Sequence, residues 1–245
     1  VKRKAETAQT RRALLQGAAA LAGTAAPVIA ASAETIAGAL PWRPGAVDPP
    51  QKIDTSTWHF FTPEEATAIE AMVDRLIPAD PKTPGGKDSG CAAFIDGQLA
   101  GPFGTAEGLY MEGPFHPGLP TQGPQGSLTP AALYRAALRS IDAYCHTHLG
   151  GKAFAQLDAG QQDGILQGLE SGKLTLDAAP AKLFFETLLQ NTMEGFFADP
   201  LYGGNRDMAG WKMIGFPGAR YDYRAYVDQH NKQLGLEPVS ILSRL

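Results

Sequence analysis

The sequence predicts a mainly α-helical protein: a small helical bundle with long Gly/Pro-rich loops and an extended N-terminal arm. Three observations carry this. Apolar residues recur at three- and four-residue spacing behind recognisable helix starts. No pair of segments alternates apolar and polar residues as half-buried strands would. The 28 Gly and 19 Pro among 245 residues form no repeat, so they imply long connections between the helices. A hydrophobic content of 44% suffices for one sizeable core.

The chain divides into three parts. Residues 1–33 read as an export signal: basic residues, then an Ala- and Gly-rich run from Ala13 to Ala31, then Ala31-Ser32-Ala33. The adjacent Arg11 and Arg12 point to the twin-arginine variant, and the A-x-A pattern at Ala31 and Ala33 places cleavage after Ala33. The same run is about long enough to span a bilayer if it is not cut. Residues 34–58 form a Pro-rich arm with Trp42 and Trp58 as candidate anchors. Residues 59–245 form a single helical domain.

Within that domain, Thr62-Pro63-Glu64-Glu65 opens the first helix. Thr62 suits the cap, Pro63 the first helical position, and Glu65 completes a capping box. Ala66, Ile69, Met72, Val73 and Leu76 share its buried face, and Pro78 and Pro81 end it. A second short helix is expected over Ala92–Leu99. Residues 101–128 hold too much Gly and Pro for regular structure, and a loop of that length has a role of its own. Thr129-Pro130 opens a helix to about Leu149, burying Leu133, Ala137, Ile141, Tyr144 and Cys145, with Gly150-Gly151 as its stop. Asp158 and Gln161 cap a third long helix, Ala159–Glu170. Asp177 begins a fourth, running through Leu183, Phe184, Leu188 and Phe196, and one more is expected near Tyr223–Gln233.

Charge and motifs narrow the chemistry. Net charge is −4 overall, while residues 1–33 carry Lys2, Arg3, Lys4, Arg11 and Arg12 against Glu6, a net of +4. The remainder therefore holds −8, and an acidic body does not suit nucleic acid, which needs a basic surface. There is no G-x-G-x-x-G after a strand, no C-x-x-C-H for covalent haem and no G-x-S-x-G elbow. Cys145-His146-Thr147-His148 offers only Cys145 and His148 on one helix face, which is two ligands where a metal site needs three or four. Among Glu186, Glu194, Asp199, Asp207, Asp222 and Asp228, spacing singles out no catalytic pair. No catalytic, cofactor-binding or metal-ligating residue is assigned. Cys91 and Cys145 are candidates for a disulfide, either to each other or from one of them to a partner.

The most unusual stretch is Asp199-Pro200-Leu201-Tyr202-Gly203-Gly204-Asn205-Arg206, followed by Gly210-Trp211 and Ile214-Gly215-Phe216-Pro217-Gly218. It resembles the signature of the small (gamma) subunit family of gluconate 2-dehydrogenase. Phe94-Ile95-Asp96-Gly97-Gln98-Leu99-Ala100-Gly101-Pro102-Phe103-Gly104 is similar to that family's second hallmark. Met111–Gly118 and Gln122-Gly123-Pro124 resemble its longer gluconate and 2-ketogluconate branch.

The resemblance implies a complex. Its parts would be a large FAD-containing dehydrogenase subunit, a multihaem cytochrome c subunit, and a small subunit that escorts the flavoprotein through the twin-arginine translocase. The chain itself would hold no cofactor, FAD and haem c residing in its partners. It would lie at the periplasmic face of the inner membrane. Related 2-ketogluconate, sorbitol and fructose dehydrogenases have similar small subunits, and a stand-alone periplasmic binding or scaffold protein is the reading from a different class. For a partner interface the candidates are the arm and the loops 101–128 and 196–220, with Trp42, Trp58, Phe103, Phe115, Tyr202, Asn205, Arg206, Trp211 and Phe216 as contact residues.

Overall fold

The computed structural model describes residues 51–116, 118–123, 125–220 and 222–244. The export signal, its cleavage site and Trp42 lie outside them. The chain divides into two units, 1–43 and 44–245, and the described residues all belong to the second. They contain six α-helices and no strand, as the predicted mainly helical class requires, while residues 34–50 of the expected arm lie outside them.

Helix α1 (Pro63–Leu76) begins with the predicted capping box. Thr62 Oγ1 accepts from the Glu65 N–H at 3.3 Å, and Glu65 Oε2 accepts from the Thr62 N–H at 2.9 Å. Ala66, Ile69, Met72 and Val73 are buried, while Leu76 is half-buried. Helix α2 (Cys91–Ala100) is entered through Gly90 in the left-handed region and is buried on nearly every side. Helix α3 (Pro130–His148) is capped by Thr129, whose Oγ1 accepts from the Ala132 N–H at 3.2 Å. Helix α4 (Ala159–Glu170) carries the expected Asp158–Gln161 box.

Helix α5 (Ala181–Phe197) touches all five other helices and is the axis of the core. Phe184, Leu188 and Phe196 are fully buried on it, each worth about 2 kcal/mol of apolar burial. Gly195 lets α2 approach, since a Cβ there would stand 3.0 Å from the Phe94 ring. A short helix α6 (Ala209–Ile214) follows the signature loop.

Three boundaries differ from expectation. α5 starts at Ala181 rather than Asp177, because Pro180 at the cap lacks the N–H a helix interior requires. α6 was hidden by its Gly and aromatic content. The helix expected near Tyr223–Gln233 shrinks to a single 3-10 turn, Arg224–Tyr226, because the segment has no face buried on the body: Val227 is 61% exposed.

Polar pairs sit where helices meet. Arg75 of α1 holds Asp163 of α4 through two bonds of 2.7 and 2.8 Å. Tyr134 of α3 is wholly buried and its hydroxyl accepts from Asn191 Nδ2 of α5 at 3.0 Å. Burial pushes that phenol well above its ordinary pKa.

Candidate partner interface

The second hallmark, residues 94–104, is organised by one carboxylate. Asp96 is buried in an otherwise apolar turn of α2. Its Oδ2 accepts from the His59 N–H at 2.7 Å, and its Oδ1 from the N–H groups of Phe60 and Phe61 at 2.9 and 2.8 Å. Three donors on one carboxylate compensate its desolvation and fix the end of the arm against the core. Just ahead, the Ile53 N–H bonds the Leu201 carbonyl at 3.1 Å, and Ile53 lies against Gly97. Arg135 closes the same corner by donating to the Glu65 carboxylate and the Phe60 carbonyl, with its guanidinium 4.2 Å from the centre of the Phe60 ring. The hallmark therefore serves the packing of residues 53–61. A single acid inside an apolar helix was the signal for Asp96, and sequence reasoning passed over it.

The signature loop, residues 198–218, is knitted to the body by its polar side chains. Asn205 is fully buried in the left-handed region (φ 45°). Its Nδ2 donates to the Ala198 carbonyl at 2.8 Å, and its Oδ1 accepts from the Gly210 N–H at 2.9 Å. It thus ties the end of α5 to the start of α6. Trp211 Nε1 donates to the Phe197 carbonyl at 2.7 Å, satisfying an orphan acceptor at the C-terminus of α5. Asp199 takes the Leu201 N–H, the Ser240 hydroxyl and the Ile241 N–H, and so holds the C-terminal tail. Gly204 and Gly210 lie against α5: a Cβ on either would come within 2.2 Å of a carbonyl oxygen, that of Gly195 and Phe196 respectively.

Two interface candidates are therefore corrected. Asn205 and Trp211 are buried and satisfied internally, so they shape the loop and do not reach a partner. Tyr202, Arg206 and Phe216 are exposed on that loop, as are Trp58, Phe103 and Phe115 elsewhere. The Arg206 side chain packs beside Gly90 and borders a cavity of about 640 Å³ that Lys82, Asp88, Asp207 and Lys212 also line. Opposite charges are interleaved there, so the cavity presents no single-sign field.

Of the two disulfide expectations, the bridge between Cys91 and Cys145 is not formed. Cys91 and Cys145 are both free thiols and both buried, at the start of α2 and near the end of α3. Desolvation pushes Cys91 up to about 12, with Arg206 pulling the other way, and pushes Cys145 up to about 11, assisted by Asp142. Neither is set up to react in the folded body. His148 bonds the Tyr144 carbonyl and stacks on the Tyr144 ring at 4.6 Å. Among the described residues, no group of three or more His, Cys, Asp or Glu converges as metal ligands.

Loop 101–128 is built differently. It is anchored at its base, where the Gly104 N–H bonds the Gln98 carbonyl and the Ala131 N–H bonds the Gly104 carbonyl. Beyond Ala106 it leaves apolar groups in water: Leu109 is 64% exposed, Tyr110 81% and Leu119 67%. With the adjoining ends of α3 and α5 it walls a groove of about 700 Å³. As partner contacts on this loop, sequence reasoning named only Phe103 and Phe115. The signal for the others was bulky apolar residues within a Gly/Pro-rich run. Among the described residues no helix is long and apolar enough to cross a membrane.

Leu109, Tyr110 and Leu119 thus leave large apolar side chains exposed on one loop, a kind of surface that protein association can use. Residues 63–218 match the family model of gluconate 2-dehydrogenase subunit 3, and the chain belongs to that family, whose members are small subunits of a dehydrogenase complex. No curated protein and no solved structure matches it.

Proposed function

We propose that this chain is the non-catalytic small subunit of a membrane-bound, FAD-dependent gluconate 2-dehydrogenase complex. Its role is to bind the flavoprotein subunit, stabilise it and carry it through twin-arginine export to the periplasmic face of the inner membrane. FAD and haem c reside in the partner subunits. The observation that carries the reading is the family match over residues 63–218. The paired Arg11 and Arg12 supply the address, and a route that moves folded proteins suits a cargo loaded with cofactor before export. The exposed aromatic and aliphatic side chains supply surface for the association.

The test is co-expression with the flavoprotein, capture through a tag on this chain, and a flavin spectrum. Stoichiometric flavin is expected, and Arg11→Lys with Arg12→Lys leaves the flavoprotein in the cytoplasm. A monodisperse chain that captures no flavoprotein overturns the reading in favour of a stand-alone periplasmic binding protein.

A further inference from the structure

We infer that the groove beneath loop 101–128 receives an extended, uncharged, apolar segment of the flavoprotein subunit, and that Leu109 and Tyr110 are its principal contacts. The inference rests on the small-subunit reading above and assigns the surface that does the binding.

Charge selects the class of occupant. Among the described residues, Glu112 and His116 are the only carboxylate and imidazole lining the groove, and no Lys or Arg lines it. A sugar acid, a phosphate or an acidic peptide would require a guanidinium or ammonium group to replace its water. Phe103, Phe115, Leu128 and Leu183 among the lining residues offer apolar contact; Thr187 and Gln190 of α5 are neutral, and their side chains already donate within the helix, to the Leu183 carbonyl and to Glu194. The groove therefore suits a neutral chain with apolar side chains.

Backbone chemistry selects its conformation. From Tyr110 to His116 the loop is neither helix nor strand. Among the described residues, none of the backbone N–H or C=O groups in that stretch is hydrogen-bonded. A helical occupant satisfies its own backbone and would cover these groups without pairing them, at about 1–3 kcal/mol for each one buried unpaired. An extended occupant brings free N–H and C=O groups of its own and can pair with them, as added strands and polyproline segments do. The two observations are independent: the first selects the side-chain chemistry of the occupant and the second its extended backbone.

The surface also continues along a rigid element. Gln190, Met193 and Phe197 lie along one exposed face of α5, and Met193 and Phe197 remain 46% and 37% exposed. The groove thus opens onto a stripe leading toward the signature loop, so one helix presents both.

The experiment uses the co-expressed complex. A benzophenone amino acid replaces Tyr110 in one preparation and Val227, a comparably exposed residue outside the groove, in another. After irradiation the cross-linked peptides are mapped by mass spectrometry. Position 110 is expected to join one short stretch of the flavoprotein without Asp, Glu, Lys or Arg at its centre, and position 227 is expected not to reach it. In parallel, Leu109→Asp with Tyr110→Asp should lower the flavoprotein recovered per chain about ten-fold or more, as loss of a hot spot does. Both residues are exposed, so the folded body tolerates the change, and an unaltered thermal midpoint confirms that. Cross-links from position 110 to a second copy of this chain, to a charged helical stretch or to nothing overturn the inference, and so does undiminished recovery with the double variant. If the unaltered chain captures no flavoprotein, the small-subunit reading fails and this inference fails with it.

Discussion

Two irregular segments of this molecule look alike as sequence and behave oppositely as structure. Residues 101–128 and 198–218 are both rich in Gly, Pro and aromatics. The second is closed: Asn205, Trp211 and Asp199 spend their polar atoms on the backbone of α5, the start of α6 and the tail. The first is anchored at Gly104 and Ala106 and then leaves its large apolar side chains outside. A Gly- and aromatic-rich segment therefore becomes part of the body when buried side chains satisfy its backbone, and becomes a surface when they do not.

The strongest way to break this contrast is at Asn205. Asn205→Ala strands the Ala198 carbonyl and the Gly210 N–H in a buried site and places Ala at a φ that Asn tolerates better. A loss of about 3–5 kcal/mol is expected in urea denaturation followed by tryptophan fluorescence. A loss below about 1 kcal/mol would show that the signature loop is not part of the cooperative body.

Asp199→Ala should cost less, about 2 kcal/mol, because it places no residue in the left-handed region and one of its three donors, the Ile241 N–H, is only part-buried and can turn to water. It should also speed proteolysis of the tail beyond Ser240, which limited digestion followed by mass spectrometry would detect. Trp211→Phe keeps the ring against Phe216 and loses only the bond to the Phe197 carbonyl, so about 1 kcal/mol is expected from the same urea measurement.

These three positions mark the limit of what the sequence reveals. The starts of α1 and α4 were readable because caps act locally: Thr62 with Glu65 and Asp158 with Gln161 lie three residues apart, and both boxes form. The buried face of α1 followed from helical spacing alone, apart from Leu76 at its margin. Asn205 and Trp211 were recognised as unusual but assigned outward, because their partners at Ala198, Gly210 and Phe197 depend on how the chain turns back over α5. No local pattern encodes that return. Asp96 was missed for the same reason, its donors lying 35 to 37 residues earlier. The thiols were judged from compartment chemistry, but reactivity is set by burial, which a count of cysteines does not contain.

In the open loop the expected stability change is near zero. Tyr110→Ser removes a ring that is 81% exposed, so the unfolding free energy from urea denaturation should change by no more than about 0.5 kcal/mol. A loss of about 2 kcal/mol would mean that this loop too is knitted to the body, and the contrast with residues 198–218 would disappear.

The C-terminal stretch around Asp222 is a third kind of irregular segment, tied mainly to itself, and it carries the smallest effect. Arg224 donates to Asp222 through its guanidinium at 2.6 Å and through its backbone N–H at 3.0 Å, only two residues away. The side-chain bond is the larger cause, with the backbone bond second, and together they hold the Asp222 carboxyl down at about 2. A depressed carboxyl contributes stability that is complete above the ordinary carboxylate range and is lost as pH falls through the folded value, here between about 4 and 2. The pair is exposed and local, so that contribution should be invisible in the global unfolding midpoint. It should be visible in a carbon-detected NMR titration of Asp222. Arg224→Ala should raise the carboxyl midpoint only part of the way to its ordinary value, because the backbone donor remains. A full return would show that the backbone bond fails without the guanidinium, so that the turn at residues 222–226 is held by the ion pair and not by the chain.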